Sequence, residues 1–156
     1  MKDLVKKIAK KLLNNHLTIA VAESCTGGLL CYQLTKISGS SNYFKCGYIV
    51  YSNESKTNIL SIPEKMIKEY GAVSKEIALS MAKETWEKSS ADLGISLTGI
   101  AGPMGGSFQK PVGLVYIALV GLKKKLCQEY NFQGSRREIR SQATQKALEM
   151  ILETLD

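Results

Sequence analysis

Histidine is almost missing from this sequence: His16 is the only one among 156 residues, beside three prolines and one tryptophan. One histidine, set between a helix-like and a strand-like segment, supports a Ser-His-Asp triad poorly, and a surface or packing role is expected for it. The four cysteines (Cys25, Cys31, Cys46, Cys127) form no CxxC pair, and with one histidine they cannot complete a usual Cys/His zinc set. Neither a structural zinc nor a disulfide framework is expected, and the thiols read as free and mostly buried. No apolar run reaches the ~18 residues of a membrane span. The longest, such as Val112–Leu122, read as strands. Lysines interrupt any signal-like core at the N-terminus, so no membrane partner and a cytoplasmic location are expected. Repeats, low-complexity tracts and linkers are missing as well.

What is present suits one globular domain over residues 1–156. The composition is 44% hydrophobic and 22% charged, and a chain of this length buries about two-thirds of the surface its unfolded form exposes. The formal charge of +7 raises the question of nucleic acid. It is confined to two segments, residues 1–15 and 123–140, each with a balance of +4. In the first, Leu4, Val5, Ile8, Leu12 and Leu13 recur at helical spacing with lysines opposite, the pattern of a solvated helix face. No DNA-binding motif accompanies either segment, and direct nucleic-acid binding is not expected.

Helices are predicted over about 3–15, 29–37, 53–60 (with Ser52 as N-cap), 63–70, 74–89 and 136–155. Ile77, Ala78, Met81, Ala82 and Trp86 share one face of the fifth, with Trp86 as a core anchor. Strands are predicted over 17–22, 46–51, 93–97, 113–121 and 126–132, the last two joined by a basic hairpin at 122–125. Alternating helices and strands imply an α/β fold: one three-layer α/β/α domain around a mixed, mostly parallel sheet with a C-terminal antiparallel hairpin.

Three polar, small-residue loops follow predicted strands, where open α/β sheets collect ligands. The first is Glu23-Ser24-Cys25-Thr26-Gly27-Gly28, whose glycines admit a ligand and whose following helix offers N–H groups to an anion. It lacks a Walker lysine, and a purely structural turn is an equal reading. The second is Gly39-Ser40-Ser41 followed by Tyr51–Lys56. Here a serine with a lysine base and a tyrosine in the relay is one reading, and solvated loop residues the other. As a base, Lys56 needs its pKa lowered to about 7–8. The third, Gly99–Gly106, reads as a phosphate nest or a mobile loop. Arg136 and Arg140, one turn apart at the start of the last helix, suit an anion or open solvent.

Taken together, AESCTGG at 22–28, GSS at 39–41, YSNESK at 51–56, GAVS at 71–74, LTGIAGPMGG at 97–106, PVGLVYIAL at 111–119 and FQGSRREIR at 132–140 resemble the CinA C-terminal domain family of competence/damage-inducible proteins. The matches run in order over nearly the whole chain. Many members carry a larger N-terminal domain, which the early start of the motifs implies this chain lacks. The resemblance implies a nicotinamide-nucleotide amidohydrolase that converts nicotinamide mononucleotide to nicotinic acid mononucleotide and ammonia, with no cofactor and no metal. It makes Ser41 the nucleophile, Lys56 its general base and Tyr51 a partner in proton transfer. It also puts Ser24, Thr26, Gly27, Thr98, Gly99 and Arg136, with Arg140 second, around a pyridine mononucleotide whose phosphate Arg136 grips. Met104 departs from the acidic residue more usual in that loop. The family further suggests a homo-oligomer, a dimer being the expected form. Two other readings stand beside this one: a non-catalytic partner-binding domain of competence or DNA-damage response, and a phosphoryl-transfer enzyme built on the glycine loops.

Overall fold

The computed structural model describes residues Met1–Asp156. In chain order the elements are α1 (Lys2–Asn14), β1 (Ile19–Glu23), α2 (Leu29–Thr35), β2 (Phe44–Ile49), α3 (Asn53–Leu60), α4 (Glu64–Tyr70), α5 (Lys75–Ser89), β3 (Leu93–Gly99), β4 (Leu114–Gly121), β5 (Lys124–Asn131) and α6 (Arg136–Leu155). The sheet order is β2-β1-β3-β4-β5. β1 pairs in parallel with both β2 and β3, while β4 is antiparallel to β3 and to β5. The expected α/β fold with a late antiparallel hairpin is therefore present, its pairings divided evenly between parallel and antiparallel.

Residue size along the inner strands decides how the two helical layers sit. Ile19, Val21, Leu93, Ile95, Leu97, Val115, Ile117 and Leu119 form one core with α1, α2 and α6. The alternate positions are small: Ala20, Ala22, Gly94, Ser96 and Ala118 face the α3–α5 side. α5 lies so close there that a Cβ on Gly94 would stand 2.5 Å from the Ala82 carbonyl oxygen and 2.8 Å from the Trp86 nitrogen. Ser96 Oγ donates to the Ala78 carbonyl at 2.6 Å, which settles a buried hydroxyl against the same helix. Trp86, expected as a core anchor, is half-buried beside Ala78, Ala82, Ala118 and Val120, and Thr85 holds the fully buried position.

Helix ends follow their capping residues. Ser52 and Ser135 each complete a capping box, at α3 and α6, and Ser74 caps α5. The last turn of α6 carries no basic residue of its own. Lys124 Nζ donates to the Thr154 carbonyl at 2.9 Å, and Lys11 Nζ pairs with Asp156 at 2.6 Å. Two lysines of the basic segments thus serve the negative end of that helix. His16 is exposed in the turn after α1, at φ 54°, in line with a surface role. All four cysteines are free; Cys25 is buried and the others are half-buried. No helix is long and apolar enough to cross a membrane.

Candidate active site

From β1 the chain goes on to β2 on one side of the sheet, and from β3 to β4 on the other. The loops after β1 and β3 therefore part at the C-terminal edge of the sheet, where open α/β folds leave a crevice. A cleft of about 250 Å³ lies there. Ser24 and Cys25 line it from the loop after β1, Tyr51, Asn53 and Lys56 from beyond β2, and Thr98–Gly102, Met104 and Gly105 from the end of β3 and the loop after it. Ala72 and Val73, before α5, and Arg136, the first residue of α6, complete it.

Lys56 dominates the electrostatics. It stands on the second turn of α3 with 1% of its surface exposed, although it is a lysine. Nζ donates to the Val50 carbonyl at 2.8 Å, to the Tyr51 carbonyl at 3.4 Å and to Ser24 Oγ at 3.1 Å. No carboxylate takes part in these contacts. Burial without a counter-ion pushes its pKa down to about 8. Ser24 is itself buried, with 7% of its surface exposed, and it lines the cleft.

Cys25, next to Ser24, is the other candidate nucleophile by position. Burial pushes its thiol up to about 12, so it stays protonated at neutral pH and is a poor nucleophile. Ser24 opens a tight turn in which the Gly27 N–H donates to the Ser24 carbonyl at 3.2 Å. The N–H groups of Cys25 and Thr26, inside that turn, find no acceptor in the chain.

The helix after this turn does not offer its N-terminus to a ligand, contrary to the expectation from sequence. The Glu23 carboxylate, fully buried at the end of β1, accepts from the N–H groups of Gly28 at 3.0 Å, Leu30 at 3.2 Å and Cys31 at 2.8 Å. An internal anion already occupies that end of α2.

Of the expected site residues, the fold brings Ser24, Tyr51, Lys56, Thr98, Gly99 and Arg136 into one cleft. Ser41 is not among them. It lies exposed just before β2, whereas Tyr51 and Lys56 follow the same strand. A six-residue strand spans roughly 20 Å, so Ser41 and Lys56 stand at opposite edges of the sheet, and Ser24 takes the place beside the amine. Tyr51 contributes in two ways: its backbone carbonyl faces Lys56, while its phenol accepts from Arg136 Nη2 at 2.9 Å on the cleft rim. Arg136 Nη1 also donates to the Gly102 carbonyl at 2.8 Å, which ties the loops after β2 and β3 together.

Thr98 Oγ1 donates to the Ala72 carbonyl at 2.8 Å, bracing the far wall and leaving the hydroxyl only its lone pairs for a ligand. Gly99 is required by packing, since a Cβ there would meet the Leu114 carbonyl oxygen at 2.6 Å. Thr26 is fully buried and lies outside the lining, as do the exposed Gly27 and the half-buried Arg140, whose Nη2 donates to the Thr26 carbonyl at 2.8 Å. The sequence reading missed Asn53, Ala72 and Val73. Asn53 directly follows the Ser52 cap, the one local signal that could have placed it at a helix mouth.

The CinA C-terminal domain family model matches residues 1–155. A CinA-like protein of Citrifermentans bemidjiense is 47% identical over 139 residues, covering 89% of this chain and 34% of that protein. A Clostridium botulinum protein named for competence-damage inducibility is 46% identical over 154 residues, covering 99% of this chain and 38% of its own length. The chain thus spans about a third of the length of the curated relatives it matches. The crystal structure of the competence/damage inducible protein CihA from Agrobacterium tumefaciens superposes with a TM-score of 0.95 at 38% identity, covering 99% of this chain and 94% of that one. With the fold, the loop residues and these likenesses in agreement, the chain belongs to the CinA C-terminal domain family.

Proposed function

We propose that this chain hydrolyses the carboxamide of nicotinamide mononucleotide to nicotinic acid mononucleotide and ammonia, with Ser24 as nucleophile and Lys56 as its base. One observation carries the reading: a lysine without a counter-ion, almost withdrawn from water, has its amine 3.1 Å from a serine hydroxyl at the floor of a cleft. A module that only bound a partner would have no use for so costly a burial. A serine hydrolase does, because a lysine near pKa 8 is partly neutral at working pH.

The acceptors around Nζ set the direction of proton transfer. A neutral amine has two hydrogens and one lone pair, and carbonyl oxygens only accept. With the Val50 and Tyr51 carbonyls taking the hydrogens, the lone pair is left for the Ser24 hydroxyl. In the proposed reaction Lys56 takes the Ser24 proton as Oγ adds to the carboxamide carbon. The N–H of Cys25, without an acceptor of its own and next in the chain to the nucleophile, would receive the oxyanion, a contribution of ~3 kcal/mol per donor in known cases. Collapse breaks the C–N bond, and the Lys56 ammonium gives its proton to the departing ammonia. Water, deprotonated by Lys56, then cleaves the nicotinoyl ester and returns Ser24.

The substrate comes from the family resemblance, supported by the cation at the rim. Arg136 has N–H donors beyond those used on Tyr51 and Gly102, and would meet the phosphate. The test is ammonia release from nicotinamide mononucleotide. Ser24→Ala is expected to lose at least ~1000-fold in kcat, and Ser41→Ala to stay within about twofold, as its exposed position far from Lys56 implies. Full turnover by Ser24→Ala would remove the nucleophile. Release of phosphate in place of ammonia would turn the reading to phosphoryl transfer.

A further inference from the structure

Arg140 is an arginine without an evident task. It stands one turn beyond Arg136 on α6, yet it does not line the cleft. Nη2 donates to the Thr26 carbonyl at 2.8 Å, and a Cβ on Gly27 would come within 3.3 Å of the same nitrogen. Nε is buried with no partner. An unpaired buried donor is a cost that a fold tolerates where the same group makes another contact of value. No carboxylate accepts a hydrogen bond from this guanidinium, so the Thr26 carbonyl is the anchor of its charge.

The turn it touches is soft by composition. Gly27 and Gly28 both have positive φ, 58° and 100°, and consecutive glycines leave the peptides around them several conformations of similar energy. The Thr26–Gly27 peptide has its N–H on the Ser24 carbonyl and its C=O on Arg140 at 2.8 Å, with a longer contact from the Leu29 N–H at 3.3 Å. Rotating that peptide breaks all three contacts and releases the backbone that carries the Cys25 N–H. The far side of the turn is already held, because Glu23 binds the N–H groups of Gly28, Leu30 and Cys31. Arg140 makes the shorter of the two hydrogen bonds that hold the near side.

We propose that Arg140 is a positioning residue: its hydrogen bond to the Thr26 carbonyl locks the Thr26–Gly27 peptide, and so keeps the Ser24–Gly27 turn in the conformation that presents the free Cys25 N–H beside Ser24. The proposal rests on the serine mechanism above for its effect on rate, while the lock itself is independent of which substrate is used. Pre-set donors matter most when charge develops in the transition state, so the loss falls on kcat rather than on substrate binding.

The experiment compares wild type, Arg140→Ala and Arg140→Lys in two measurements. Steady-state ammonia release from nicotinamide mononucleotide is expected to show kcat down about 30-fold in Arg140→Ala with KM within about threefold. Amide exchange of Gly27, followed by NMR on the free protein, is expected to quicken at least ~10-fold in the same variant while the amides of β3 and β4 keep their protection. Arg140→Lys, which can still offer one donor, recovers part of both, and it carries the test if Arg140→Ala does not fold. Unchanged Gly27 exchange overturns the lock. A KM raised about 10-fold or more at unchanged kcat overturns it too, by making Arg140 a substrate ligand. If wild type releases no ammonia, the substrate reading falls and Gly27 exchange alone decides the lock.

Discussion

Replacing Lys56 by methionine should stabilise the protein at neutral pH and cease to do so in alkali. The ordinary lysine value of 10.5 falls to about 8 in the folded protein through burial, a difference worth about 3 kcal/mol at 1.36 kcal/mol per unit. Because the folded value is the lower one, the unfolded chain binds more protons between pH 8 and 10.5. Stability therefore rises with pH across that window, by up to ~1.4 kcal/mol per unit from this group. Below pH 8 both states hold the proton and the full penalty applies. Methionine has nearly the same length and no charge, but it abandons the hydrogen bonds to the Val50 and Tyr51 carbonyls. Losing those costs about 1–2 kcal/mol, so the net gain at pH 7 is about 1–2 kcal/mol. Urea unfolding of both proteins at half-unit steps from pH 7 to 10.5 measures the difference directly, and groups common to both cancel. The stability difference should move by about 3 kcal/mol over the window, from methionine ahead by about 1–2 kcal/mol at pH 7 to wild type ahead by about as much at pH 10.5. Parallel curves would mean that Lys56 titrates alike in both states, and the case for a poised base would collapse with them.

The same group fixes the pH dependence of the reaction: kcat/KM for nicotinamide mononucleotide should rise with an apparent pKa of about 8 and fall tenfold per unit on the acid side. A profile flat from pH 6.5 to 9 would exclude Lys56 as the titrating base. At the sheet, Gly94→Ala should destabilise the fold by at least ~2 kcal/mol, because its Cβ meets the backbone of α5 at Ala82 and Trp86 rather than a movable side chain. A denaturation midpoint within error of wild type would show that α5 can withdraw from the sheet freely.

The elements were legible because their signals are local. Ser52 before an eight-residue helix, Ser74 before α5 and Ser135 before α6 mark the starts that the fold adopts. The near-continuous apolar run ending at Ala22 marked an inner strand. Strand ends were less legible, because β2 begins at Phe44 and carries a register shift opposite Ile19 and Ala20 that no residue announces. The turn between β4 and β5 was drawn too long: Leu122 and Lys123 take positive φ, 49° and 62°, without the Asn-Gly pair that usually signals so tight a hairpin. In the site, Lys56 and its lowered pKa were foreseeable from the chemistry a serine base requires. Its partner was not. Ser24 and Ser41 are both serines in small-residue turns, and which one meets Lys56 depends on the direction of β2 and its pairing with β1, a long-range property.

That pairing also explains why the acidic residue nearest Ser24 leaves the Lys56 amine without a counter-ion. A carboxylate beside Lys56 would raise its pKa and keep it protonated. Glu23 precedes Ser24 directly, yet in an extended strand successive side chains take opposite faces of the sheet. Glu23 pairs in register with Ile49 and turns its carboxylate into the N-terminus of α2, where three backbone N–H groups satisfy it. Ser24, one residue on, faces the amine. One strand end thus sends its negative charge to a helix cap on one side and its hydroxyl to an uncompensated cation on the other. Arg136 reaches the rim from α6 and Lys56 the floor from α3, so the charged groups that face the cleft are cations. An anionic ligand can enter such a cleft without meeting a carboxylate, while Lys56, kept from Glu23 by the sheet, holds its amine against Ser24 Oγ with no counter-ion.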